Sequence, residues 1–451
     1  MRGPTDRPNI ILINCDDLGY GDVGCYGSKL NKTPRLDRMA AEGVRFTDFY
    51  MASSVCSPSR AAMMTGCYPR RVGLDWGEKF LVLLPGDAIG LSGEEVTIPE
   101  ILKARGYATH MIGKWHIGDQ AEFLPTRHGF DSYFGLPYSN DMYPRHPANE
   151  RFKFPPLPLM KQEKVIEVEP VQEELTGRYL ADALRFIRDN RDRPFFLYLA
   201  HMYVHWPYHP PAEFKARSTN GVYGAEVEHI DYCTGAMLDA LAELGIDQNT
   251  LVMFTSDNGG VGHQWASNAP LRGTKGTTWE GGLRVPLIAR WPGTIPAGQT
   301  CTELATAMDF LPTLAHLAGA GDGIPTDRII DGRDVRPLLM CEPGARSPYE
   351  AFFYYAVDKS LAAVRAGRWK LHLESGELYD LQADVGETTN VADDNAEVAA
   401  RLTALADACR EDLGDGKLNI PGRNCRPPGR VENPVHLRLS GDDPLTQAAY
   451  D

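Results

Sequence analysis

The chain has 451 residues, 43% of them hydrophobic and 24% charged, with a net charge of −14. A single core rarely grows beyond ~300 residues, so the length predicts one large domain with a smaller one appended. The acidic balance excludes a general nucleic-acid binder, which needs a basic surface to displace counterions; positive groups serving an anionic ligand must be gathered in one site.

The polar, Pro-containing first eight residues have no apolar signal core, and no apolar run approaches the ~20 residues of a membrane span. As written, the chain is expected in the cytoplasm and off the membrane, although a trimmed periplasmic or secreted protein would look the same. Asn9-Ile10-Ile11-Leu12-Ile13-Asn14 is a short apolar run that predicts a buried parallel strand. Residues 55–66 read as a loop entering a short helix, with Pro58 in its first turn and Gly66 at its stop. Residues 139–159, rich in Pro, Tyr and Asn and without period, predict a long loop near the site. Leu175, Tyr179, Ala183 and Ile187 recur every fourth residue and predict a helix over 174–190. Strands are predicted at 194–200, 251–256 and 285–289, with a helix at 225–244. This alternation predicts an α/β fold built on a large, mostly parallel mixed sheet with helices on both faces, over residues 1–335. Beyond it, short alternating pieces at 351–355, 362–364, 369–373 and 377–380 predict a small antiparallel sheet. One helix at 397–413 and an irregular tail after Lys417 complete a C-terminal α+β unit, 336–451.

The nine cysteines are scattered without a CxxC pair, which argues against a disulfide framework or a zinc module and fits free thiols. In parallel sheets, ligands sit beyond the carboxyl edge. The first strand runs into Asp16-Asp17 and the strand at 251–256 runs into Asp257-Asn258. Either pair alone suits a turn or a helix cap. Together they put three carboxylates and an amide oxygen at one edge, a set that selects Ca2+ or Mg2+ over zinc or copper. Cys56 stands at a helix N-terminus, where free N–H groups favour an anion, with Arg60 on the same face. Local chemistry leaves open a cysteine hydrolase with an activated thiol or a buried structural cysteine.

Cys56-Ser57-Pro58-Ser59-Arg60 resembles the C-x-P-S-R signature of the sulfatase family, whose cysteine is oxidised after translation to formylglycine. The resemblance spans most of the chain, through Asp16-Asp17, Gly113-Lys114-Trp115-His116, His205-Trp206-Pro207, Asp257-Asn258-Gly259, Lys275-Gly276 and Glu280-Gly281-Gly282. Arg368-Trp369-Lys370 and Glu377-Leu378-Tyr379-Asp380 are similar to the family's small C-terminal domain. One departure is Cys67, at a position that is often basic in the family.

The resemblance implies a sulfatase whose hydrated aldehyde at position 56 attacks sulfur and then expels sulfate through its second hydroxyl. It implies that Asp16, Asp17, Asp257, Asn258 and the position-56 oxygen bind the cation. Arg60 and Lys114 would hold the diol and the sulfate oxygens. His116 would take the second diol proton, and His205 and Lys275 would serve the leaving-group side. A formylglycine-generating enzyme is the implied partner. His201 and His209 match no family position. His263, Trp265, Asn268 and Arg272 are expected to line the substrate pocket. Polar groups in 138–145 favour a carbohydrate sulfate among small-molecule and oligosaccharide esters. The alternatives are a phosphonate monoester or phosphodiester hydrolase with the same nucleophile, or an inert binding protein, against which every filled catalytic position argues.

Overall fold

The computed structural model describes residues 7–262 and 265–439. Among these, ten strands form one sheet: β1 (Asn9–Cys15), β2 (Val44–Phe46), β3 (Ala108–Gly113), β4 (Ser132–Gly135), β5 (Pro158–Lys161), β6 (Lys164–Val168), β7 (Phe195–Ala200), β8 (Thr250–Ser256), β9 (Leu287–Arg290) and β10 (Gln299–Cys301). Their order is β10-β2-β9-β8-β1-β7-β3-β4-β5-β6. The central strands β8, β1, β7, β3 and β4 run parallel, and β9 and β5 join them antiparallel.

Every residue of β1, β7 and β8 is buried, as continuous apolar runs covered on both faces require. Side chains alternate across the pleat. Ile11 and Ile13 pack towards the helices Gln172–Asp189 and Gly221–Glu243, through Tyr179, Ile187, Ile230 and Met237. Ile10 and Leu12 join the opposite cluster, with Met63 and Met64 of the helix Cys56–Thr65 and Leu311 and Leu314 of the helix Phe310–Leu317.

A second sheet, β11 (Phe352–Tyr355), β12 (Leu361–Ala366), β13 (Trp369–His372) and β14 (Leu378–Asp380), is an antiparallel meander backed by the helix Ala396–Leu413. The expected α/β fold with its small antiparallel sheet is therefore the observed one. Three local expectations change. β3 escaped prediction because Thr109 and His110 interrupt its apolar character. Inside the fold they are satisfied: Thr109 Oγ1 donates to the Gly129 carbonyl at 2.8 Å, and His110 Nε2 meets Asp182 at 2.7 Å. The stretch 139–159 is not wholly loop, since it holds a short helix, Asn149–Phe152, and ends in β5. The tail is mostly irregular, but Gly429–Arg430 pairs with Ile89–Gly90. No helix among the described residues is long and apolar enough to cross a membrane.

The two sheets are joined through buried charge. Glu280 lies between them, accepting from Tyr50, from Tyr354 at 2.8 Å and from Lys370 at 3.0 Å, with Arg284 at 3.3 Å. Lys370 also donates to the Thr278 carbonyl and contacts Glu387, both at 2.8 Å, and Glu387 accepts the Glu280 N–H at 2.8 Å. Breaking a buried pair by removing one partner leaves an uncompensated charge, at a cost of ~3–5 kcal/mol. Glu280→Ala is therefore expected to lose stability of that order in urea unfolding. A loss under ~1 kcal/mol would show that the charges can be resolvated and do not join the sheets.

Candidate active site

Four adjacent parallel strands deliver the site at their carboxyl ends: β8 leads to Asp257 and Asn258, β1 to Asp16 and Asp17, β7 to His205, and β3 to Lys114 and His116. The turn after β3 depends on glycine. Gly113 has φ +97°, and a Cβ there would overlap the Ala200 carbonyl. Asp17 and His116 adopt φ of 63° and 64°, the left-handed region that non-glycine residues enter only when the surroundings over-determine them.

Asp16, Asp17 and Asp257 are almost wholly buried and bring one carboxylate oxygen each within 4.8 Å of one another. Asp16 Oδ1 and Asn258 Oδ1 find no donor among the described residues. Unpaired buried oxygens are expensive, and a hard cation is what this donor set would satisfy. The residues therefore fit a Ca2+ or Mg2+ ion.

Three cationic side chains oppose the carboxylates. Lys114 Nζ donates to Asp16 Oδ2 at 2.5 Å and to Ser139 Oγ at 3.1 Å. Arg60 Nε donates to Asp257 Oδ2 at 2.9 Å, while its Nη1 donates to the Lys114 carbonyl at 2.6 Å. Lys275 Nζ lies 2.7 Å and 2.9 Å from the two Asp17 oxygens. Burial alone would push the Asp16 carboxyl up, but Lys114, His205, Arg60 and Lys275 outweigh it and hold the group well below the usual range. Asp257 goes the other way. Burial and the Asp16 charge push it up to about 6 against Arg60 and Lys114.

Cys56 is the first residue of its helix, which Gly66 closes in the left-handed region by donating to the Ala62 carbonyl. Its side chain faces a cavity of about 540 Å3 that His116, His205 and Lys275 also line. Burial pushes the thiol up to about 11 despite Lys114 and Lys275, so the unmodified sulfur is a neutral thiol at pH 7. This argues against the activated-thiol alternative. Arg60 and Lys114 stand behind this surface, wholly buried.

The histidine tautomers follow from carbonyl partners. His116 Nε2 must donate to the Leu83 carbonyl at 3.0 Å, which leaves Nδ1 with a free lone pair and no partner among the described residues. Burial, with the charges of Lys114 and Arg60, lowers its pKa well below the ordinary value, so the ring is neutral. His205 Nδ1 donates to the Trp206 carbonyl at 2.5 Å and turns Nε2 towards Asp17 Oδ2, 3.7 Å away.

Two contributors escaped the sequence reading, and a third was expected from the polar loop 138–145. Ser139 receives the Lys114 ammonium. Leu83 orients His116 through its carbonyl, and its own N–H donates to Ser57 Oγ at 3.1 Å, tying His116 to the Cys56 helix. Asp141 lines the cavity. Ser139 and Leu83 stand in no chemically distinctive string, whereas Asp141 is the one expected polar group of its loop that reaches the cavity.

Other expectations are corrected. Trp265, Asn268 and Arg272 do not line this cavity. Trp265 packs on Tyr208, Asn268 holds the backbone of Gly260 and Gly273, and Arg272 lies over the Trp279 ring at 3.6 Å, so Asn268 and Arg272 brace the loop carrying Lys275. His263 falls outside the described residues. His201 is buried away from the cavity, and His209 pairs with Glu173. In the loop 138–145, Tyr138 is buried, Asn140 bonds Gln172 at 2.9 Å and Arg145 pairs with Glu169, so most of its polar groups are not available to a ligand in this cavity.

An oxygen cage, a residue at a helix N-terminus and flanking cations on one cavity define a hydrolase site for an anionic ester. The profile of the Sulfatase family matches residues 8–320, and that of the N-sulphoglucosamine sulphohydrolase C-terminal region matches 274–411. Arylsulfatase A of Homo sapiens is 40% identical over 435 residues, covering 85% of this chain and 83% of its own. N-acetylgalactosamine-6-sulfatase of Canis lupus familiaris is 40% identical over 385 residues, covering 82% and 72%. The crystal structure of Ps i-CgsB in complex with k-i-k-neocarrahexaose superposes with a TM-score of 0.77 at 31% identity, covering 89% of this chain and 92% of that one. This chain belongs to the sulfatase family and is a sulfuric ester hydrolase.

Calcium is expected to raise the Tm by mass action, equivalent to ~2.7 kcal/mol at a hundredfold excess over Kd, and Asp16→Asn to remove most of that shift. Because the Asp257 proton must leave before a cation binds, affinity should fall as pH drops below about 6 and be level above 7. Calorimetric titration across that window checks this; an unchanged Kd would remove Asp257 from the ligand set.

Proposed function

We propose that this protein hydrolyses sulfate monoesters with a formylglycine made from Cys56 and a divalent cation held by Asp16, Asp17, Asp257 and Asn258. The observation that carries the reading is the pair of donorless oxygens, Asp16 Oδ1 and Asn258 Oδ1, in the same buried corner as Cys56. A bound cation would supply Lewis acidity and neutralise sulfate charge. The aldehyde hydrate would supply both an attacking oxygen and a second hydroxyl for sulfate release.

The chain's own side chains account for the remaining work. Lys114 and Arg60 neutralise Asp16 and Asp257, and Arg60 also fixes the helix that carries position 56. His116, neutral with Nδ1 free, takes the hydroxyl proton whose loss expels sulfate. Burial would lower the Lys275 pKa, but Asp17 outweighs it and holds the ammonium charged, so it presents N–H donors to a sulfate oxygen and to the departing alcohol oxygen. His205 flanks it on the leaving-group side. A formylglycine-generating enzyme is the partner this reading requires. N-acetylgalactosamine-6-sulfatase and the oligosaccharide complex of Ps i-CgsB support a carbohydrate sulfate as substrate.

Peptide mass spectrometry across Cys56, with an aryl sulfate assay on the same preparation, tests the nucleophile. A loss of roughly 18 Da, the difference between thiol and aldehyde, should accompany activity, and Cys56→Ala should abolish it. An active enzyme with an intact thiol, or one that prefers phosphonate or phosphodiester substrates, would overturn the proposal. His116→Gln is expected to lower kcat by ~10²–10⁴ and to let sulfated enzyme accumulate, which intact mass after a quench detects. A kcat within threefold of wild type would remove His116 from the proton transfer.

A further inference from the structure

Among the described residues, Asp141 is the one carboxylate lining the cavity. A carboxylate beside a site for an anionic ester is electrostatically costly, and it is only an acceptor. Its own neighbours leave one oxygen without a donor. Oδ2 lies 3.5 Å from His146 Nε2 and the Ser139 side chain also bonds the carboxylate, while Oδ1 finds no donor among the described residues. Its backbone is fixed in a tight turn, in which Met142 N–H donates to the Ser139 carbonyl at 3.1 Å and Tyr143 N–H to that of Asp141 at 3.0 Å. That turn brings Ser139 to Lys114 and, two residues on, Asp141 to the cavity wall. The acceptor therefore stands close to the corner where the ester oxygen must lie.

The wall beyond is mainly apolar, with Arg151 and His146 also lining it. Phe152 and Phe154 stack at 5.3 Å with 24° between their planes, Phe80 meets Phe152 edge-on at 5.4 Å, and Val82 and Leu84 continue the surface. Such a wall takes the face of a ring, and the carboxylate takes a donor on that ring's edge.

Building on the sulfatase reading above, we infer that Asp141 accepts a hydrogen bond from a free hydroxyl next to the sulfated oxygen, so that the preferred substrate is the monosulfate of a vicinal diol on a six-membered ring. A second anion at that position is repelled, and a ring without the hydroxyl leaves the carboxylate unpaired. Burial alone would push the Asp141 carboxyl up, but the charges of His205 and Lys114 and the contact with His146 hold it below the ordinary range, so it is an acceptor at neutral pH. Sugar and catechol rings share this chemistry.

The test compares matched substrates on fully matured enzyme: 2-hydroxy-5-nitrophenyl sulfate against 3-nitrophenyl sulfate, and a pyranoside monosulfate with a free neighbouring hydroxyl against its deoxy analogue. Wild type should favour the hydroxylated member of at least one pair. Asp141→Ala should lower kcat/KM for that member roughly tenfold or more and leave the other within about twofold. Asp141→Asn, which keeps an acceptor oxygen, should recover part of the loss. A response confined to one pair assigns the ring type and supports the inference. Equal losses on both members, or no preference in wild type, would overturn it and make Asp141 a structural residue. If matured wild type hydrolysed neither member of either pair, the sulfatase reading itself would fail.

Discussion

Three carboxylates buried within a few ångströms of each other repel so strongly in a low-dielectric interior that positive charge must be built in beside them. Asp16, Asp17 and Asp257 meet this condition through Lys114, Lys275 and Arg60, each drawn from a different part of the chain. Arg60 comes from the Cys56 helix, Lys114 from the turn after β3, and Lys275 from a loop braced by the small sheet. Neutralising the carboxylates is thus also what fastens these parts together. Three charges against three leave the corner roughly neutral, so a divalent cation makes it positive, which is what an anionic ester requires. A chain with a net charge of −14 can serve an anionic substrate because positive charge is gathered in this corner.

Much of this was legible in the sequence for a definite reason. β1 and β8 are continuous apolar runs that end abruptly in acidic pairs, and burial on both faces leaves such runs no other reading. The Cys56 helix was legible from Pro58 and Gly66. β3 was not, because Thr109 and His110 are polar and find their partners, Gly129 and Asp182, 20 and 72 residues further along the chain. The same limit hid Leu83. Its part is played by a main-chain carbonyl, which no residue type announces. The loop 138–145 was read only in part, because composition gives the polar groups but not their direction: Asp141 reaches the cavity, while Asn140 and Arg145 turn to Gln172 and Glu169.

The cavity divides its labour sharply. Its floor is charged, with a few oxygen and nitrogen atoms left without partners among the described residues, while its wall is mainly phenylalanine, leucine and valine with Asp141, His146 and Arg151 set into it. The wall can therefore vary without disturbing the floor.

The position of Lys275 depends on residues far downstream. Its loop is held by Lys370 at Thr278 and by Glu387 at Glu280 and Arg272. During synthesis the cysteine helix and both acidic strand ends leave the ribosome long before these anchors do. A chain stopped between residues 275 and 370 already has the acidic strand ends and the Cys56 helix, yet lacks the struts that hold the Lys275 loop. The small sheet thus completes the support of the Lys275 loop after the rest of that corner has been made.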